Sequence, residues 1–106
     1  MLIKLNEKFL KDDGIPVMIP KSKPSEPEEC TLGEFIEWLL EIDDQEDKDN
    51  KKKVSDMILA RELRNAEDYE FNTKQIDRIL KIGEKFLFKK VLFELVKTLD
   101  RLKDYE

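Results

Sequence analysis

The stretch that most limits the folds open to this chain is residues 86–102, Phe-Leu-Phe-Lys-Lys-Val-Leu-Phe-Glu-Leu-Val-Lys-Thr-Leu-Asp-Arg-Leu. Phe88, Val91, Leu92, Leu95, Leu99 and Leu102 recur there at the i, i+3, i+4, i+7 spacing of one helix face. The spacing predicts a continuous amphipathic helix with its leucine-rich side hidden. With 106 residues, 40% of them apolar, the chain can build one modest core and no second one. The expected organisation is a single domain over 1–106, divided into a β-hairpin (1–19), a proline-rich loop (20–30) and a helical core (31–106).

Upstream of that helix, Leu2–Leu5 and Ile15–Ile19 read as short strands joined through Asp12-Asp13-Gly14, residues that tolerate a tight turn. Phe9 and Leu10 are expected to fold back onto the core. Residues 20–30 carry three prolines and no large apolar side chain, which excludes helix and leaves either an extended linker or a surface loop. Thr31-Leu32-Gly33-Glu34 has the form of a capping box, so a helix should start there and bury Leu32, Phe35, Ile36 and Leu39, widened by Trp38, Leu40 and Ile42. A second helix is expected over 51–66. Its apolar residues Val54, Met57, Ile58, Leu59, Ala60, Leu63 and Ala66 point in nearly every direction, which places it at the centre of the bundle or at an interface. Tyr69–Phe71 alternates as a short third strand would, Asn72 or Thr73 can cap a third helix, and Gly83 reads as that helix's C-cap. The fold class expected is therefore α+β and mainly helical, with four helices packed on a small N-terminal β-hairpin.

Composition removes several kinds of chemistry. There is no histidine, so Ser-His, Cys-His and His-containing metal sites are excluded, and a single cysteine excludes thiolate cages. Cys30 follows Glu28 and Glu29, whose charge disfavours a thiolate, and one cysteine suits a reducing compartment. The three glycines are scattered and form no phosphate loop. Calcium loops beginning at Asp43 or Asp68 both fail at the sixth and twelfth positions, which hold Lys48 and Val54 or Thr73 and Ile79. No cofactor, metal or catalytic residue is expected, and the chain is read as non-enzymatic. No apolar run is long enough for a membrane span, and Met1–Leu5 is too short for a signal-peptide core, so a cytoplasmic location is expected.

Charge is distributed unevenly. Residues 1–50 sum to −8 and residues 51–106 to +3, and Glu26–Asn50 alone holds eleven carboxylates against Lys48. Two surfaces follow from this. Asp43, Asp44, Glu46 and Asp47 form an acidic candidate that could mimic a phosphate backbone and occupy a nucleic-acid-handling enzyme. On the last helix, Lys89, Lys90, Lys97 and Arg101 are expected to surround Phe93, a basic and aromatic pattern that suits an acidic partner. The chain's overall charge of −5 argues against nucleic acid as that partner. Trp38, Phe93 and Val96 are the apolar interface candidates, and the surplus of Phe86, Leu87, Phe93 and Val96 leaves homo-oligomerisation open.

The order Lys4-Leu5, Asp13-Gly14-Ile15-Pro16, Thr31-Leu32-Gly33, then Leu59-Ala-Arg-Glu-Leu-Arg-Asn-Ala66 before Tyr69-Glu70-Phe71, resembles small proteins encoded in phage and prophage genomes. The long 20–30 insertion and the aromatic-rich last helix depart from it. The resemblance implies an accessory or assembly protein of the host-cell cytoplasm that works by binding another protein, and it brings no catalytic residue with it.

Overall fold

Helix α1 (Leu32–Leu40) starts where the capping box predicts. Four backbone N–H groups at the start of any helix lack a partner within it, and here each is met. The Thr31 amide donates to Glu34 Oε1 at 2.9 Å, and the Glu34 amide donates to Thr31 Oγ1 at 3.2 Å. The amides of Leu32 and Gly33 donate to the carbonyls of Glu7 and Leu5, both at 2.9 Å. The N-terminal segment is thus part of the helix cap. That Thr31 amide is also what chiefly holds the Glu34 carboxyl below its ordinary range. Phe35, Ile36 and Leu39 are sealed from water, with Phe35 stacked between Phe9 and Trp38 at ring-centroid distances of 4.7 and 5.7 Å.

The structure, a computed structural model, describes residues 2–23 and 25–106, so Met1 of the expected hairpin and Pro24 of the proline-rich loop lie outside the described residues. It contains four helices and two small antiparallel sheets. Helix α2 (Asn50–Leu63) is capped by Asp49, whose carboxylate accepts from the Lys52 amide at 3.2 Å. Helix α3 (Thr73–Phe86) opens with a second capping box, Asn72 with Gln75. Helix α4 runs only from Lys89 to Thr98.

The continuous helix over 86–102 does not exist. Leu87 and Phe88 are extended, Phe86 ends α3 instead of opening the last helix, and after α4 the chain closes in a short 3-10 turn over Leu102–Tyr105. Geometry requires the break. At 100° per residue, the apolar arc of Ile76–Gly83 and that of Val91–Leu99 would lie roughly 160° apart on one straight rod. Only a reversal between them lets both face the same core. Leu95 and Leu99 are fully buried as expected, but Phe88 is 87% exposed and Leu102 37%. Gly83 is no C-cap. It sits inside α3, where a Cβ would come within 3.2 Å of Leu87 and 3.3 Å of Leu92, so its bareness lets α4 lie close. At the far end of α4, Asp100 takes the left-handed conformation (φ 58°) and the Arg101 amide reaches back to the Val96 carbonyl, a Schellman-type stop.

The strand pairing also differs from expectation. β1 (Leu2–Lys4) pairs with β4 (Asp68–Glu70), with Ile3 opposite Tyr69, so the third strand exists and takes the place expected for Ile15–Ile19. β2 (Met18–Ile19) pairs with β3 (Glu28–Glu29), which makes the proline-rich segment the surface loop of a later hairpin. The Asp12–Gly14 turn does form: Gly14 has φ 80°, its amide bonds to the Lys11 carbonyl, and Leu10 bridges Pro16. Phe9 is buried as expected, whereas Leu10 is exposed.

Around α1 pack α2 and α3, with α4 lying on α3. Ile3, Leu5, Phe9, Val17, Ile19 and Phe71 close the core from the strand side. Gly33 marks the tightest approach, since a Cβ there would stand 2.9 Å from Leu5 Cβ and 3.2 Å from Leu5 O. Gly33→Ala should therefore lower the urea midpoint. Overpacking costs roughly 1–3 kcal/mol, more than the ~1 kcal/mol of helix propensity that alanine returns. A raised midpoint would show that Leu5 does not cross the helix start.

Candidate functional site

Helix α2 has two apolar sides. Asp56, Leu59, Ala60 and Leu63 are buried, and α2 packs on α1. Val54, Met57 and Ile58 fall at i, i+3, i+4 on the opposite side and are 59%, 50% and 47% exposed. The helix is therefore not central to the bundle. Its outer stripe faces water, with exposed Phe86 from the end of α3 across from it. Between them lies an open groove of about 960 Å³, walled by α2, the second half of α3 and residues 40–47, with Ile42 and Ile82 also reaching it.

The base of the groove is an ion pair. Asp56 is the only charged residue buried among the described residues, at 6% exposure. Arg78 of α3 donates to it through Nε at 3.0 and 3.2 Å and through a second guanidinium nitrogen at 2.8 Å. This two-nitrogen geometry is the strong form of the pair, and it raises the Arg78 pKa further above its ordinary value. The pair links α2 to α3 directly across the groove, beside the packing of both helices on α1. Arg78 also reaches Asp47 at 3.5 Å. Asp56 escaped the sequence reading, although an Asp at i, i+3, i+4, i+7 with Leu59, Ala60 and Leu63 was the signal that could have found it.

Each of the four acidic candidates is tied down. Asp43 pairs with Lys53 at 2.9 Å, Asp44 and Glu46 both pair with Lys85, and Asp47 pairs with Arg78. Lys85 holds the Asp44 carboxyl below its ordinary range. For Asp47 the Asp49 amide is the largest cause of the same shift, with Arg78 adding to it. The segment joining α1 to α2 is thus strapped across the end of the groove, its four carboxylates sharing Lys53, Lys85 and Arg78.

The second candidate surface comes apart. Val96 is 4% exposed and belongs to the core, because α4 turns it inward beside Leu95. Trp38 is half-buried against Phe35. Phe93 is exposed on α4, with Lys97 over its ring at 5.8 Å. Lys97, however, is held by Asp12 and Glu94, while Arg101 lies beyond α4 and pairs with Asp77 and Asp104. Lys89 and Lys90 are exposed at the start of α4 and form no ion pair among the described residues, so no basic ring closes around Phe93.

Cys30 is buried against the Val17 carbonyl, and burial first, Glu34 second, pushes its thiol up to about 11. Such a thiol is almost wholly protonated at neutral pH. Among the described residues no group of three or more His, Cys, Asp or Glu could hold a metal ion, and no helix is long and apolar enough to cross a membrane. No protein-family model matches the chain, and comparison with curated proteins and with solved structures finds no match.

Two outcomes follow from the groove's electrostatics. Asp56→Ala should cost about 1–3 kcal/mol, less than the ~3–5 kcal/mol of breaking a fully buried pair, because Arg78 is partly exposed and keeps Asp47 and water. Urea unfolding of Asp56→Ala, Arg78→Ala and the double variant should give singles that do not add; additivity would remove the pair from its place at the groove base. The pH dependence has a definite sign. Asp44 and Asp47 are depressed in the folded state, so their contribution is complete above the unfolded value of 3.8 and is lost as pH falls through the lower folded values. Thermal melts from pH 6 downward should begin to fall at about pH 5, where depressed Glu34 starts to titrate in the unfolded chain, and fall further below about pH 4 as Asp44 and Asp47 follow. The fall should shrink in Lys85→Met, and an unchanged profile would disconnect Lys85 from Asp44.

Proposed function

We propose that the chain is a non-enzymatic protein-interaction module, of the accessory or assembly kind that its phage-type resemblance implies, and that its docking face is the outer side of α2 with the adjoining groove. The single observation that carries this reading is the stripe Val54, Met57 and Ile58, apolar at helical spacing and about half exposed. A helix side that α1 does not need and water does not favour is what a partner's surface would cover. Phe86 across the groove extends the apolar area, and charged side chains rim it, the pattern of an interface core inside a polar border. The ion-paired strap and the Asp56–Arg78 link hold the walls apart before a partner arrives, which lowers the cost of binding.

Nothing in the geometry favours turnover. The carboxylates near the groove are engaged by lysine or arginine, and the buried thiol is protonated. The acidic-mimic reading gains no support, because a mimic needs its carboxylates free to meet a partner's cations, whereas these four meet the chain's own.

Affinity capture from the cytoplasm of the cell that expresses the chain tests the docking face. The wild type should retain a protein that Ile58→Glu and Met57→Glu lose by at least tenfold, about 1.4 kcal/mol. Phe93→Ser should keep it, and a variant with Asp43, Asp44, Glu46 and Asp47 all made neutral amides should weaken it less than Ile58→Glu does, since it loses the strap and not the apolar contact. Equal retention by Ile58→Glu overturns the placement, and loss confined to Phe93→Ser would move the face to α4.

A further inference from the structure

We infer that the occupant of the groove is an acidic amphipathic helix of another protein, seated with its apolar side on Val54, Met57, Ile58 and Phe86 and its carboxylates on Arg61 and Lys81. The inference rests on the docking reading above and adds the partner's chemistry. Its warrant is which charges at the groove are already used. Seven cations and six carboxylates line it, and two of those cations, Lys52 and Arg64, also meet Asp49 and Glu37 just outside the lining. The carboxylates are all engaged: Asp43, Asp44, Glu46 and Asp47 as described, Asp56 by Arg78, and Glu41 by Arg64 at 3.6 Å. Arg61 and Lys81 have no ion pair among the described residues.

Position gives these two cations their meaning. Arg61 continues the outer stripe of α2, four residues beyond Met57 and three beyond Ile58. Lys81 stands on α3, one turn before Lys85. One unspent cation therefore stands on each wall, with apolar residues between them, and an occupant with carboxylates along both edges of an apolar face satisfies both. A basic occupant would have to break existing pairs to find a carboxylate. A second copy fits poorly for the same reason. In a two-fold interface the patch meets itself, and here unspent cations would meet unspent cations with no free carboxylate to separate them.

The test uses two fluorescein-labelled peptides of about 18 residues, roughly five helical turns, which share a leucine face. One is flanked by glutamates and the other by lysines. Anisotropy titrations with the full chain should show the glutamate peptide binding at least tenfold more tightly, with the advantage shrinking as salt rises. The double variant Arg61→Glu/Lys81→Glu should reverse the order, and Ile58→Glu should abolish binding of both. Equal or tighter binding of the lysine peptide, or no binding of either, overturns the acidic assignment. Concentration-dependent self-association in sedimentation, lost in Ile58→Glu, overturns it in favour of a second copy. If the captured protein still depends on Ile58 while the peptides show no charge preference, only the partner's chemistry falls. If neither depends on Ile58, the docking face falls with it.

Discussion

The four unmet amides at the start of α1 are the constraint on which the remaining architecture hangs. A helix of nine residues cannot stand alone in water, and this one is anchored by contributions from two separate stretches of chain. Thr31 and Glu34 satisfy two donors locally, while the carbonyls of Leu5 and Glu7 satisfy the other two from the N-terminal segment. Those two bonds fix where the N-terminal segment runs. Once it crosses Gly33, Leu5 enters the core, Phe9 stacks on Phe35, and β1 lies where β4 can pair with it. Only a glycine tolerates the crossing at that distance.

Local grammar was readable in the sequence, and non-local pairing was not. The Thr31–Glu34 capping box, the cap at Asn72 and the turn at Gly14 appear in the structure because each is decided within four or five residues. The strand partners were misassigned because Leu2–Lys4 and Asp68–Glu70 are too short to carry a register signal, and their pairing depends on tertiary contacts that no local pattern encodes. The break at Leu87–Phe88 has no proline or glycine to announce it. It was nonetheless present in the angular mismatch between the arcs of α3 and α4, and a single helical wheel over 86–102 hides that mismatch by starting too late. Val96 moved from surface to core for the same reason: the true helix is centred on Leu95 and Leu99.

The candidate site was half legible. That α2 has apolar residues all round is a property of the sequence, but which side α1 would cover is a property of packing. The acidic stretch reads as a charged surface when its neighbours in sequence are counted. In space its neighbours are Lys53, Arg78 and Lys85, two of them more than thirty residues away, and the surface becomes a strap. Long-range ion pairing between an acidic first half and a basic second half accounts for much of the asymmetry that the linear charge count displays.

This strap bears on how a shallow groove can act as a defined site. Individually its pairs are exposed and weak, each worth about 0–1 kcal/mol and screened by salt. They share cations, however: Lys85 meets two carboxylates, and Arg78 joins Asp47 of the strap to buried Asp56 of α2. Losing one pair leaves the others to hold the same geometry, and the buried member anchors the set in a position that water cannot easily relax. The consequence is a division of labour among like groups. Carboxylates are engaged in setting the shape of the groove, Arg61 and Lys81 stay outside those pairs among the described residues, and the apolar side of α2 is left exposed. What the molecule offers outward at this face is therefore apolar area flanked by two cations, Arg61 and Lys81, that its own carboxylates do not engage among the described residues.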